Sequence, residues 1–431
     1  MERGRRSGLE AAIGRTLDKR RSQSTIRQLS TNDPNSVDFS SNDFLSLACN
    51  KQLRENFIQE LQRGPTATGS GGSRLLDGNS TYAENLEEQI ATFHGASAGL
   101  LCNSGFDANV GLFSCLPQPG DIIIYDEFIH ASVHDGMRLS RADKCICFLH
   151  NDVSALRSVL EQCMLEDVTI QDGRKTVFVA VETVYSMDGD VAPLKEIVSV
   201  LKSTLPAHNG HLIVDEAHST GVYGPKGRGL VCELGLESEV TVRLHTFGKA
   251  LACNGAILLC SPLIRQYLVN YARSLIYTTF MSYPALAAIK ASYSYLADGK
   301  TEVLAENLRS LIEALHVRLL ALQDSLALES MDDSVSLVSG LLRVSKDCPQ
   351  SPIFSVLSSE PKPLAAYCQS NGLVVRGIVP PTVPVGAERI RICLHAGNTL
   401  QQVDDLVETI RSWVVMRKAS LSEPQRARAR L

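Results

Sequence analysis

Short apolar runs that stop at polar or turn residues recur through the middle of the chain. They include Gly99-Leu-Leu-Cys-Asn-Ser-Gly105, Asp121-Ile-Ile-Ile-Tyr125, Val177-Phe-Val-Ala-Val-Glu-Thr183 and His211-Leu-Ile-Val-Asp-Glu-Ala-His218. Val242-Arg-Leu-His-Thr-Phe-Gly-Lys249 and Gly255-Ala-Ile-Leu-Leu-Cys-Ser261 complete the set. Runs of this length without alternation read as strands buried on both faces, the habit of parallel sheets. Helical periodicity lies between them. Tyr82 to His94 places Leu86, Ile90 and Phe93 on one side, and a helical pattern resumes near Pro193. Strand–helix alternation predicts an α/β fold with a doubly wound, mostly parallel central sheet between helices.

Past residue 295 the pattern changes. Thr301 to Leu328 is helix-rich, and Val335–Val344, Ile353–Val356, the stretch from Val374 and Glu388–Leu394 are candidate strands. A last helix is expected from about Leu400 to Val415, which makes this region a smaller C-terminal α+β domain. At the other end, Leu9, Ile13 and Leu17 share one helical face, the mark of an amphipathic docked helix. The expected organisation is an N-terminal helix and arm (1–50), a large α/β domain (51–295), the C-terminal domain (296–418) and a basic tail (419–431).

Composition narrows the functional classes. A chain of 431 residues suits two or three cooperating domains. Net charge is −5, so no general affinity for nucleic acid is implied. No apolar run reaches the length of a membrane span. The twelve cysteines are scattered and lack zinc spacing; they read as reduced thiols of an intracellular protein. His130 and His134 stand four apart with no glutamate between them, so no metal is expected. The arginine-rich start resembles a presequence, but Glu2, Glu10 and Asp18 argue against one. The glycine-dense Gly64–Arg74 stretch lacks a preceding strand and has the wrong spacing for a dinucleotide fingerprint; it reads as a loop at a substrate entrance. The terminal Ala429-Arg430-Leu431 is a conservative variant of the peroxisomal address, the alternative being a meaningless end on a cytoplasmic protein.

Candidate chemistry centres on residues 211 to 249. In open α/β sheets ligands bind beyond the carboxyl ends of strands, so Asp215, His218, Thr246 and Lys249 should converge. A lysine amine can form a Schiff base with an aldehyde cofactor. Pyridoxal phosphate also requires a carboxylate at its ring nitrogen, which Asp215 can supply. His218 can reach the ring hydroxyl, Thr246 the phosphate, and Gly248 leaves room for the ring. Gly105-Phe106 opens a predicted helix whose backbone N–H groups make a phosphate cradle, or a plain strand–helix turn. His130 follows a strand and could stack on a planar ring. Arg27 could clamp a carboxylate, and Arg389 and Arg391 fall on one face of their strand, where one of them facing a cleft would do the same; the alternative for all three is a solvated arginine. Ser274 to Thr279 offers hydroxyls on a polar turn.

With these residues in view, the chain resembles the α-oxoamine synthases, pyridoxal-phosphate enzymes of the aspartate-aminotransferase fold (fold type I). The likeness runs from Leu17-Asp-Lys-Arg-Arg to the final helix. It is carried by Ser40-Ser-Asn-Asp-Phe-Leu, Ser186-Met-Asp-Gly-Asp, Val214-Asp-Glu-Ala-His-Ser-Thr-Gly and Thr246-Phe-Gly-Lys. Pro380-Pro-Thr-Val-Pro and Gly78-Asn79 point to the biotin branch. The resemblance implies decarboxylative condensation of L-alanine with pimeloyl-CoA. A relative joining another amino acid to another acyl-CoA, such as glycine C-acetyltransferase or a secondary-metabolite synthase, is the alternative; a non-catalytic partner subunit is the reading outside enzymes. It also implies roles: Lys249 as the Schiff-base lysine, Asp215 as pyridinium partner, His218 at the ring oxygen and His130 stacked on the ring. Gly105, Phe106, Ser186 and Thr246 would bind cofactor; Arg27, Asn42, Thr382 and Arg391 would face substrate. Family members are homodimers, in which Tyr277, Thr278 and Thr279 would reach the neighbour's phosphate. Asn254 and Val379 depart from the bacterial biotin pattern. Val379 stands where an arginine is common, which leaves Arg376 or Arg389 as readers of a distal carboxylate.

Overall fold

The computed structural model describes residues 7–23, 25–65, 67–328 and 340–428, with side chains to residue 421 in the last helix. Contacts divide the chain into a unit ending at Ser36 and a second from Val37 onward. The first contains the helix Gly8–Ser22, started by a reciprocal cap in which Ser7 Oγ accepts from Glu10 N (3.2 Å) and Glu10 Oε2 from Ser7 N (3.0 Å). Arg27 belongs to this unit.

Among the described residues of the second unit, twelve strands follow in chain order: β1 Val37–Asp38, β2 Ala98–Cys102, β3 Ile122–Asp126, β4 Lys144–Phe148, β5 Val177–Glu182, β6 Gly210–Asp215, β7 Val240–Thr246, β8 Ala256–Cys260, β9 Ile353–Leu357, β10 Leu373–Val374, β11 Arg376–Ile378 and β12 Arg389–Cys393. Seven make the central sheet, in the order β2-β8-β7-β6-β5-β3-β4. Every pairing is parallel except the two made by β8. The reversal at β8 has a local cause. Only nine residues separate Thr246 from Ala256, too few for the crossover that a parallel neighbour needs. The chain therefore doubles back, with Phe247 N donating to Gly255 O (2.9 Å) and Cys253 N to Phe247 O (2.8 Å). Gly255 sits at φ +106°, where a Cβ would come within 2.8 Å of Met281 Sδ.

Alternate residues of the sheet feed two apolar layers. Ile123, Ile213, Val242 and Leu244 pack with Leu112 and Phe113 of the helix Gly105–Cys115 on one face. On the other, Ile122, Ile124, Val179 and Val214 pack with Leu156 and Leu160 and with Ile197 and Leu201, from the helices Val153–Glu166 and Leu194–Thr204. Burial on both faces explains why the strands are continuously apolar rather than alternating.

The C-terminal elements form an antiparallel sheet β11-β12-β9, with the helix Glu302–Leu328 against it. Segment 37–50, expected in an N-terminal arm, joins this side instead. β1 pairs with β10, Phe39 O accepts from Cys393 N (2.8 Å), and Phe39, Phe44, Leu45 and Leu47 share a core with Leu315, Phe354, Ile390 and Trp413. Of the expected strand Val335–Val344, residues 335–339 lie outside the described residues, and Arg343 makes only an isolated bridge to Leu357. The last helix runs Leu400–Arg428, well past Val415. The forked contact of Arg417 with Glu360 (2.8–3.1 Å) and Leu421, packed against the C-terminal core, hold the turns beyond the amphipathic stretch. Among the described residues no helix is long and apolar enough to cross a membrane.

Candidate active site

The carboxyl ends of β5, β6 and β7 deliver the chemistry. Asp215 closes β6 and is almost wholly buried. Its Oδ1 accepts from Ala217 N (2.9 Å) and its Oδ2 from Asn109 Nδ2 (2.9 Å). The same amide nitrogen of Asn109 donates to Ser132 Oγ (3.0 Å), so helix Gly105–Cys115 braces the carboxylate from the side. Lys249 follows β7 through Phe247 and Gly248, and its Nζ lies 2.8 Å from His218 Nε2. Burial lowers the Lys249 pKa; Asp215 and Glu182 oppose that shift and Arg391 adds to it. Burial, then the charges of Lys249, Arg391 and His130, hold His218 well below its ordinary value, so its ring is neutral. His218 Nδ1 is buried without a hydrogen-bond partner. A buried polar atom left this way marks a place that a ligand oxygen would satisfy.

His130 caps the helix Ala131–Arg138. Its Nδ1 accepts from Ser132 N (3.2 Å), which leaves Nε2 to carry the ring proton, and Phe106 stands edge-on at 6.4 Å between ring centroids. Burial lowers its pKa; Asp215 opposes that shift, and Lys249 and His134 add to it. Gly105 and Phe106 begin their helix behind Ser104, whose Oγ accepts from Asp107 N (3.0 Å). First-turn N–H groups have no partner within their helix and favour an anion. A Cβ on Gly105 would lie 3.4 Å from the Cβ of Thr246, so glycine lets the strand end and the helix start meet. Thr246 Oγ donates to Gly255 O (3.3 Å). Thr278 and Thr279 stand beside this cradle in the same chain: Asn103 Nδ2 donates to Thr279 O (2.8 Å) and lies 3.5 Å from Thr278 Oγ.

A second cluster joins β12 to this centre. Arg391 donates to Ser186 O (2.6 Å), to Ser40 O (3.4 Å) and to Asn42 Oδ1 (2.9 Å). Three expected residues, Asn42, Ser186 and Arg391, are thus brought together. Arg389 shares their strand face but is committed to Asp188 and to Ala387 O (2.8 Å), so it is no cleft-facing carboxylate reader. Thr382 lies in an exposed turn after the cis Pro380–Pro381 bond, with its N–H on Val379 O (3.1 Å); no hydrogen bond links it to Arg391. The Gly64–Arg74 stretch is anchored inward, with Arg74 pairing to buried Glu87 and to Asn79 Oδ1 (2.8 Å).

Glu182 and Asn109 were not foreseen. Glu182 ends β5 directly opposite Asp215 and is buried. Burial first and Asp215 next push its pKa well above the carboxylate range, against Lys249 and the His130 N–H. Its position as the acid closing an apolar strand was the available signal, the same one that marked Asp215. Among the described residues no group of three or more His, Cys, Asp or Glu could hold a metal ion.

Residues 34–410 match the family described as aminotransferase class I and II. An 8-amino-7-oxononanoate synthase of Emericella nidulans is 52% identical over 408 residues, covering 94% of this chain and 96% of that one. An aminoacyl transferase sphA of Aspergillus fumigatus is 39% identical over 412 residues, covering 91% and 85%. Among solved structures, a serine palmitoyltransferase of Sphingomonas wittichii matches in fold with a TM-score of 0.80 at 23% identity, over 96% of this chain and 100% of that one. An 8-amino-7-oxononanoate synthase from Francisella tularensis gives 0.67 at 26% identity, over 89% and 99%.

Proposed function

The chain belongs to the class I and II aminotransferase family, in its α-oxoamine synthase branch, and on that premise we propose that it condenses L-alanine with pimeloyl-CoA, giving 8-amino-7-oxononanoate, CoA and CO₂. It is a pyridoxal-phosphate-dependent acyltransferase. The observation that carries the reading is the Lys249 amine, 2.8 Å from His218 and reached by the charge of Asp215 at the tip of β6.

The residues fit the cofactor. Lys249 would hold its aldehyde carbon, Asp215 its ring nitrogen, and the orphaned Nδ1 or the Nε2 of His218 its ring oxygen. His130 would cover the ring face, while the helix start at Gly105 and Phe106, with Ser186 and Thr246, would take the remaining polar contacts. When bound, pyridoxal phosphate supplies an aldehyde for the amine and a ring that accepts the electron pair of bonds broken at the amino-acid Cα.

The protein's own groups do the rest. Lys249, its pKa lowered by burial, holds more of its amine uncharged at neutral pH than an exposed lysine, and so can take the Cα proton of alanine and later return one. Asp215, fixed by two donors, keeps a proton at the atom it faces. Arg391 and Asn42, already joined at 2.9 Å, would receive the amino-acid carboxylate and orient the Cα bonds. Thr382 would face substrate as well. The 52% identical relative, named for this reaction, and the Pro380-Pro-Thr-Val-Pro stretch support alanine and pimeloyl-CoA. A second reading, another amino acid with a different acyl-CoA, is favoured by the likeness to aminoacyl transferase sphA.

Part of the proposal is a homodimer, in which the exposed Tyr277 with Thr278 and Thr279 would reach the cofactor phosphate of the second copy. Peroxisomal residence is proposed from Ala429-Arg430-Leu431, which lies outside the described residues. The deciding experiment is rescue of a biotin auxotroph lacking this one step, with and without those three residues. It is paired with a panel of amino acids and acyl-CoAs on the purified enzyme. Rescue with a preference for alanine and pimeloyl-CoA is expected; turnover of other pairs alone would move the reading to the sphA-like branch.

A further inference from the structure

His150 lies outside the cluster around Lys249 and has no role in the chemistry above. It follows β4, and each of its ring nitrogens meets a carboxylate: Nδ1 stands 2.7 Å from Asp126 Oδ1, and Nε2 2.5 Å from Asp190 Oδ2. A neutral imidazole has one N–H and one lone pair, and would set that lone pair against one of the two carboxylates. Donation at both nitrogens requires the imidazolium. The ring is gripped on its faces too, stacked on Phe128 at 4.3 Å and met edge-on by Tyr185 at 4.4 Å. Asn151 repeats the connection, with N on Asp126 Oδ2 (2.8 Å) and Nδ2 on Asp190 Oδ2 (2.6 Å). Burial alone would lower the His150 pKa, but the hydrogen bonds and charges of Asp126 and Asp190 raise it to about 10.

Asp190 ends the turn that leaves β5, and the rest of that turn faces β12. Ser186 O accepts from Arg391, and Asp188 pairs with Arg389. Tyr185 N–H bonds to Asp190 O (3.1 Å) and Gly189 N–H to Tyr185 O (2.8 Å), so the turn moves as a unit. A line of contacts therefore runs from Asp126 at the end of β3, through His150 and the 186–190 turn, to both arginines of β12. We propose that His150 is a positioning residue for the amino-acid substrate: as an imidazolium clasped between Asp126 and Asp190, it fixes the turn that aims Arg391. This rests on the reading that Arg391 and Asn42 receive the substrate carboxylate.

The proposal predicts which kinetic constants change. Lys249, Asp215, His218 and the Gly105 helix start are held by contacts that do not pass through the 186–190 turn. In the holoenzyme, His150→Gln is neutral and carries both of its N–H donors on one nitrogen, so it cannot hold the two carboxylates from opposite sides as the imidazolium does. It should raise KM for L-alanine by on the order of ten- to a hundredfold, with KM for pimeloyl-CoA nearly unchanged and a smaller loss of affinity for pyridoxal phosphate, because only Ser186 of this turn is proposed to touch the cofactor. Asp190→Asn, which keeps the shape of the turn, should do the same, and the double variant should be no worse than either single one. Should His150→Gln fail to fold, Asp190→Asn alone decides. Equal losses in both KM values and in cofactor affinity, strict additivity, or an unaltered alanine KM would each overturn the proposal. Arg391→Met separates the two levels. If it leaves the alanine KM unchanged, the reading of Arg391 itself fails; if it raises that KM while the His150 and Asp190 variants do not, only the positioning role of His150 fails.

Discussion

Glu216 gives the sharpest test of the electrostatics beside the site. It follows Asp215 directly, is wholly buried, and faces His245 with its Oε1 3.6 Å from Nε2. Neither of those two atoms has a hydrogen-bond partner. The tautomer of His245 follows from its neighbour. The Thr220 hydroxyl donates to Glu216 O (2.6 Å), so the 2.9 Å contact with His245 Nδ1 must be donated by the imidazole. Burial, then His94 and Arg243, keep His245 far below its ordinary pKa, so Nε2 is a bare lone pair. Only a protonated Glu216 suits it. Burial raises the Glu216 pKa from 4.5 to about 7, despite hydrogen bonds from Ser219, Val231 and Leu230 and the charge of Arg243. A shift of that size is worth about 3 kcal/mol. The folded-state value is the raised one, so the stabilisation is full below the unfolded value of 4.5 and is lost as pH climbs through about 7. Glu216→Gln keeps an acceptor for Ser219 Oγ and Val231 N and turns an amide N–H toward His245 Nε2. Urea unfolding of both proteins between about pH 5 and pH 8 should show the variant gaining on the parent as pH rises, by up to about 3 kcal/mol. Parallel stability curves would mean that Glu216 is not the proton holder, and the tautomer argument would fall with it.

Other expectations are simpler. Lys249→Ala should abolish turnover and the visible absorbance that the bound cofactor gains through that amine; retained turnover would remove the lysine from the mechanism. Asp215→Asn should still bind cofactor but lose rate by on the order of a hundredfold or more, read from single-turnover kinetics; an unchanged rate would contradict the role of its charge. Phe44 is fully buried and its ring lies 6.0 Å from that of His218. Phe44→Ala should therefore cost about 3–5 kcal/mol of stability and weaken cofactor affinity, measured by denaturation and by titration of the apoprotein. Arg74→Met leaves buried Glu87 with Arg265 (2.7 Å) and Leu101 N (2.7 Å), so its destabilisation should stay at or below about 3 kcal/mol.

The central sheet was legible because its strands are buried on both faces and end in residues whose chemistry differs from the run before them. Asp215 and Lys249 stood out for that reason, and Glu182 obeys the same rule. It was passed over because no histidine or lysine follows it closely, as His218 follows Asp215, to make the acid part of a recognisable set. The reversal of β8 was invisible, since strand direction depends on loop length and pairing rather than on apolar pattern. Helix Leu400–Arg428 was cut short because its later turns lean on Arg417 and Glu360 more than on an apolar stripe. Arg389 and Arg391 were correctly placed on one face, but what each meets is set by Asp188 and Ser186, some two hundred residues earlier.

Strand β1 has a consequence for how the molecule is made. Val37 and Asp38 leave the ribosome early, yet their ladder partners are Leu373 and Val374. Until those emerge, Phe39, Phe44, Leu45 and Leu47 lack the part of their greasy interior that Leu373, Ile390 and Trp413 supply, and the nascent polypeptide must carry them incompletely covered. Such late closure of a sequence-distant contact slows folding and invites aggregation. Fragments that start after residue 50 would lack this plug altogether, so any attempt to produce the C-terminal half separately should yield an insoluble product unless the 37–50 peptide is supplied alongside it.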